Sequence, residues 1–141
     1  MKTNGGYLLS QIHQLSGRAF EKMLRESEID AFNGAQGRIL YVLWERDYLS
    51  ITEVGKLTSL AKTTLTGMLD RMEEGGLVER VPDKKNRRQI FIRITEKAKA
   101  YREKYDAVSE EMNQLFYQGF RDDEVQEFED MLRRIKANLE K

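Results

Sequence analysis

Six cations stand between positions 80 and 93 (Arg80, Lys84, Lys85, Arg87, Arg88 and Arg93) against one anion, Asp83. So dense a positive segment is suited to a polyanion, because each lysine or arginine that meets a phosphate releases a condensed counterion. Upstream, Lys62, Thr63, Thr64, Thr66 and Arg71 form a second group fit for the same ligand. Threonine carries both a hydroxyl and a methyl, which serve for a phosphate oxygen, a base edge or a thymine methyl. The rest of the inventory is poor in reactive groups. There is no cysteine, so disulfides, thiolate metal sites and thiol redox sensing fall away together. One histidine, His13, is too few for an imidazole metal centre. The carboxylates Glu73-Glu74 and Asp122-Asp123-Glu124 have no nearby histidine, glycine-rich loop or nucleophile, and read as helix-end and surface charge. No enzyme activity, cofactor or metal is expected.

The 141 residues suit one compact module with flanking helices. Net charge is zero, 24 basic against 24 acidic residues, so the placement of charge carries more meaning than its sum. The longest apolar run, Ile39 to Trp44, is far below the ~18 residues of a membrane span. The start, MKTNGGYLLSQIHQLSG, lacks the apolar core and cleavage site of a signal peptide. The cytoplasm is the expected location, with no membrane partner.

Elements that would position the two groups are visible in the periodicity. Leu8, Ile12, Leu15, Ala19 and Met23 recur at helical steps from Tyr7 to about Glu28, and Phe32-Asn33-Gly34 breaks that helix. A second helix runs from Ala35 to about Arg46 with Ile39, Leu40 and Leu43 inward. Ser50-Ile51-Thr52-Glu53 is a capping box opening a short helix that ends near Thr58-Ser59. The helix from Lys62 to Glu74 has Leu65, Met68, Leu69 and Met72 as its apolar stripe and ends at Gly75-Gly76. The period then changes to two: Leu77 to Val81 is one strand, and Ile90, Ile92 and Ile94 mark another. Thr95 caps a long helix from Glu96 to about Gln118. A last one begins near Asp122 with Val125, Phe128, Leu132, Ile135 and Leu139 as its stripe.

Short helix, turn, second helix and basic two-stranded ribbon make a winged helix-turn-helix. The expected fold is mainly α, about six helices with a two-stranded β wing. Residues 1–34 and 96–141 would dimerise, around a DNA-binding lobe at 35–95. The Lys62–Glu74 helix would enter the major groove of double-stranded DNA. The ribbon would reach the adjacent minor groove or phosphates through Lys84, Lys85, Arg87 and Arg88. Thr63 and Gly67 face away from the stripe, with Arg71 at the rim. Gly67 costs roughly 1 kcal/mol against alanine in a helix interior. Either its missing side chain lets the helix sit close to the groove, or the position is neutral surface. Two other readings stay open: a winged-helix module for protein–protein contact, and a structural helical dimer with an incidental hairpin.

From Gln36 to Ala98 the chain resembles the multiple-antibiotic-resistance regulator (MarR) family. The stretch ITEVGKLTSLAKTTLTGMLDRMEEGGLVER is similar to that family's core pattern, and PDKKNRRQIFIRITEKA to its wing. The resemblance implies a transcriptional repressor that binds a pseudo-palindromic operator as a homodimer, under the control of a small aromatic or anionic effector. By position it implies that Arg88 is the wing-tip arginine of the minor groove. Thr63, Thr64 and Thr66 match recognition-helix contacts, and Arg71 a phosphate contact. The sequence departs from the pattern at Asn86, where the family has an aspartate that orients the wing tip. It departs also at Ala61, which cannot accept a capping bond, and at Ala98 in place of a common glycine. Tyr7, His13, Tyr41 and Trp44 are candidates to line an effector pocket between the dimer helices and the lobe. The plainer reading makes them core aromatics and a satisfied histidine.

Overall fold

The computed structural model describes residues 1–141. In chain order the elements are α1 (Gly5–Glu26), α2 (Gly34–Glu45), β1 (Leu49–Ser50), α3 (Ile51–Thr58), α4 (Lys62–Glu74), β2 (Val78–Pro82), β3 (Ile90–Ile94), α5 (Glu96–Ala100), α6 (Arg102–Phe116) and α7 (Asp122–Leu139). The three strands form one antiparallel sheet in the order β1-β3-β2. In it Leu49 faces Ile92 on one side of β3, and Arg80 faces Ile92 on the other.

The helix starts follow side-chain chemistry. Ser50 Oγ accepts from the Glu53 amide at 3.1 Å, and Glu53 Oε1 accepts in return from the Ser50 amide at 3.2 Å. A second reciprocal box opens α2: Asn33 Oδ1 accepts from the Gln36 amide at 2.8 Å, and Gln36 Oε1 from the Asn33 amide at 3.0 Å. Each box satisfies donors that a helix start otherwise leaves orphaned. α1 stops earlier than Phe32-Asn33-Gly34. Glu28 turns left-handed at φ 60°, and the Ile29 amide donates back to the Leu24 carbonyl at 2.8 Å. Ile29 and Phe32 then insert into the core instead of marking the break.

α2 is the central element, with Ile39, Leu40 and Leu43 fully buried. Around it close Val54 from α3, Leu65, Leu69 and Met72 from α4, and Ile92 from β3. Each such side chain contributes about 1.5–3 kcal/mol by burial. An aromatic cluster of Phe20, Phe32, Trp44 and Tyr105 ties α1 and α6 onto the same core. Gly37 exists because of this packing: a Cβ there would stand 2.6 Å from the Tyr105 ring.

Two further features differ from the sequence reading. The sheet gains a third strand, β1, too short to carry any periodicity. The long helix after Thr95 divides at Tyr101 into α5 and α6. The cap itself is present, with Thr95 Oγ1 accepting from the Ala98 amide at 3.2 Å. The same hydroxyl donates to the Gly76 carbonyl at 2.6 Å, and so moors α5 to the end of α4. α7 has no buried residue. No helix is long and apolar enough to cross a membrane.

Candidate nucleic-acid interface

α3 and α4 are joined by a tight turn in which Ser59 is left-handed at φ 58° and Thr58 Oγ1 donates to the Val54 carbonyl at 2.8 Å. Leu65, Met68, Leu69 and Met72 bury one side of α4. Helical geometry then turns Thr63, Gly67 and Arg71, at successive four-residue steps, to the outside. Ala61 supplies no side-chain cap, as its methyl requires, so the first turn of α4 keeps its backbone donors open.

All nine residues read as contacts from the sequence (Lys62, Thr63, Thr64, Thr66, Arg71, Lys84, Lys85, Arg87 and Arg88) are exposed. Their charges are also free. Nine of the chain's cations stand within 4.0 Å of a carboxylate, and none of Lys62, Arg71, Lys84, Lys85, Arg87 or Arg88 is among them. Two members of the basic segment, by contrast, are spent inside the protein. Arg93 pairs with Glu79 at 2.8 Å across the ribbon, which holds its guanidinium pKa above the usual value, by that hydrogen bond first. Arg80 pairs with Asp70 at 2.7 Å and Glu73 at 2.8 Å on α4. The positive charge offered to a ligand is therefore that of the wing tip and α4, without the base of the ribbon.

The tip keeps a defined turn although Asn86 replaces the family's aspartate. Asn86 Oδ1 accepts from the Arg88 amide at 3.1 Å, and Asp83 Oδ1 from the Lys85 amide at 2.9 Å. The Gln89 amide donates to the Asn86 carbonyl at 3.0 Å. An amide oxygen thus does the orienting through the backbone, and the Arg88 guanidinium has no carboxylate of its own to leave.

Between α3, α4 and the wing lies a cleft of about 740 Å³ that brings Lys62 and Thr66 together with Arg88. Sequence reasoning missed Thr52, Gln89 and Glu53 on its walls. Thr52 lies two residues past the Ser50 cap, in the first turn of α3, and that signal was available. Glu53 is occupied: Ser50 and Arg46 satisfy its carboxylate, and the Ser50 backbone bond leads in holding its pKa below the ordinary value.

The aromatic candidates are placed differently. Trp44 is buried, and its indole N–H donates to the Ala98 carbonyl at 3.0 Å. Tyr41 is half exposed, while Tyr7 and His13 lie exposed on α1. None of the four lines the two cavities bounded by α1 and α6. One, of about 220 Å³, has Arg38, Tyr105, Ser16, Ser109 and Asn113 on its wall. The other is apolar, of about 520 Å³, between Ile12, Leu15, Met112, Phe116, Phe120 and Phe128. Burial raises the Tyr105 phenol above its ordinary pKa.

Known proteins share this arrangement. The MarR family model matches residues 32–90. The HTH-type transcriptional repressor IacR of Pseudomonas putida is 29% identical over 134 residues, covering 95% of this chain and 78% of that protein. The HTH-type transcriptional regulator TtmR of Methylorubrum extorquens is 36% identical over 92 residues, 65% of this chain but only 46% of that protein. Among solved structures, a mutant MarR from E. coli complexed with operator DNA superposes with a TM-score of 0.82 at 27% identity, covering 92% of this chain and 91% of that one. With helix-turn-helix, basic wing and flanking helices in the same order, residues 32–90 form a MarR family domain, and the chain around them resembles the winged helix-turn-helix transcriptional regulators of that family, which bind DNA and are not enzymes.

Proposed function

We propose that the protein is a repressor that binds a pseudo-palindromic operator as a homodimer, through α4 in the major groove and the wing tip in the minor groove. The observation that carries this reading is the convergence of Lys62, Thr66 and Arg88 on one cleft, beside cations that have no carboxylate partner. Thr63, Thr64 and Thr66 serve base edges, Arg71, Lys84, Lys85 and Arg87 serve phosphates, and Arg88 the minor groove. That the relative IacR is called a repressor supports the direction of control.

Residues 1–34 and 96–141 carry the dimer contact. Twelve of the exposed large apolar side chains lie there: Met1 ahead of α1, Tyr7, Leu8, Leu9, Ile12 and Leu15 on it, Leu115 and Phe116 on α6, Phe120 in the turn that follows, and Met131, Ile135 and Leu139 on α7. A surface so apolar needs a partner, and a twofold copy of the same chain offers the same surface in return. For a small organic anion, the cavity beside Arg38 gives a cation and hydroxyls next to an apolar groove. Tyr7, His13, Tyr41 and Trp44 stand off its wall.

Titration of duplex DNA at several salt concentrations tests the reading. The expected result is a log-log slope close to −0.9 for each phosphate neutralised. Tight binding to an acidic protein, with no affinity for duplex, would favour a protein-interaction module instead.

A further inference from the structure

Four of the ten glycines have a reason inside the protein. Gly34 and Gly37 lie where a Cβ would strike Glu21 or Tyr105, and Gly76 and Gly119 have φ of 75° and 85°. Gly67, like Gly17 inside α1 and Gly55 inside α3, has neither reason, and it alone of the three lies on α4. It sits in the middle of α4 in ordinary helical conformation, and a Cβ there would meet nothing closer than Arg71 Nη1 at 3.9 Å. A helix-interior glycine lowers stability relative to alanine. Nothing within the chain compensates for that loss at this position, so packing does not account for the residue.

Gly67 lies on the side of α4 away from Leu65, Met68, Leu69 and Met72, one turn after Thr63 and one turn before Arg71. It makes a notch one residue long in the middle of the outward ridge. A helix with its side chains is about 10–12 Å across, and the major groove is about 12 Å wide. With so little slack, a side chain added at the middle of the ridge, where a straight helix comes nearest the floor of the curved groove, meets the base edges before its neighbours at either end do. We infer that Gly67 is a specificity-determining residue, resting on the DNA-binding reading above: its missing side chain lets the α4 backbone reach the groove floor, so that the short side chains of Thr63, Thr64 and Thr66 touch base edges. Threonines have little reach, and a helix held off by one more side chain would leave them short of the bases while phosphate contacts from longer cations survive.

The test uses the full-length protein, an operator duplex selected from a random pool by the unaltered chain, and an unrelated duplex. Gly67→Ala is expected to raise the melting temperature by roughly 2–5 °C. It should weaken operator binding about tenfold or more and leave affinity for the unrelated duplex within about twofold. Gly67→Leu, also a good helix former, should extend the loss on the operator. The crossing of the two effects, a more stable protein with poorer selection, is what a neutral surface position would not give. Variants that discriminate operator from unrelated duplex as well as the unaltered chain overturn the inference and leave the DNA-binding reading standing. Failure of the unaltered chain to select any sequence overturns that reading and the inference with it.

Discussion

The guanidinium of Arg80, on the first strand of the wing, stands 2.7 Å from the Asp70 carboxylate on α4. The same group reaches Glu73 at 2.8 Å, and the Arg80 amide donates to the other Glu73 oxygen at 3.1 Å. One residue thus fixes the angle between α4 and the ribbon. It also neutralises two carboxylates that would otherwise repel phosphates beside α4.

Arg80→Ala should therefore weaken DNA binding more than it weakens the fold. The ion pairs are half exposed, and solvent screening limits their contribution to stability to about 1 kcal/mol. Operator affinity should fall about tenfold or more, and Asp70→Asn in the Arg80→Ala background should restore part of it. Equal affinity for parent and variant in gel-shift titrations would show that the strap has no part in recognition. The Arg80 amide, before its side chain, lowers the Glu73 pKa from the ordinary 4.5. The stability linked to it is full above that ordinary value and is lost as pH falls through the lower, folded one.

At the wing tip the expected effects separate by type of contact. Arg88→Ala should cost about 1–3 kcal/mol of operator binding through the lost minor-groove contact. Lys84→Ala and Lys85→Ala should each flatten the salt slope by about 1, with little change in sequence preference. Circular dichroism should show all three folded as the parent is. Parent-like binding by Arg88→Ala at physiological salt would remove Arg88 from the interface.

The parts of this site legible in the sequence were those written in local patterns. Ser50 and Glu53 announce a capping box three residues apart, Leu65, Leu69 and Met72 a helical face, and Ile90, Ile92 and Ile94 a strand. What escaped depends on partners far along the chain. Arg80 and Arg93 count as free cations in a charge tally, yet Asp70 and Glu79, ten and fourteen residues away, neutralise them. β1 has two residues and exists only because β3 offers an edge to Leu49 and Ser50. The bend at Glu28 needs a left-handed non-glycine residue, which no composition rule marks. Trp44 was legible as a core aromatic, but the partner of its N–H, a carbonyl 54 residues later, was not.

The junction of α6 and α7 carries an alkaline signature. The Tyr117 hydroxyl donates to Glu129 at 2.6 Å, and burial first, then that bond, pushes the phenol up to about 12 from an ordinary 10.0. The associated stability is complete below pH 10 and is lost as pH rises through about 12. Absorbance titration of the phenolates should show a step near pH 12 that Tyr117→Phe removes. An unchanged titration curve in Tyr117→Phe would contradict the assignment.

For assembly, light scattering at micromolar concentration should give twice the 16.5 kDa chain mass. Leu15 is 61% exposed in the single chain and so can be changed without touching the core. Leu15→Asp should yield a folded monomer whose operator affinity is roughly 100-fold lower, because two half-sites are no longer engaged together. A parent that stays monomeric, or a Leu15→Asp dimer, would show that α1 is not in the interface.

Selection of bound duplexes from a random pool, followed by footprinting, most directly tests sequence-specific recognition by a twofold pair of α4 helices. Two such helices on one face of the duplex require half-site centres about 10–10.5 base pairs, or 34–36 Å, apart. No arginine or lysine stands at the centre of α4 to make the bidentate contact to guanine, the commonest specific contact. The expected product is an imperfect inverted repeat rich in A·T pairs, with the Arg88 wing tips over narrow minor grooves. Enrichment of G·C-rich direct repeats, of a single unpaired half-site, or of no sequence at all would contradict both the symmetry and the mode of readout.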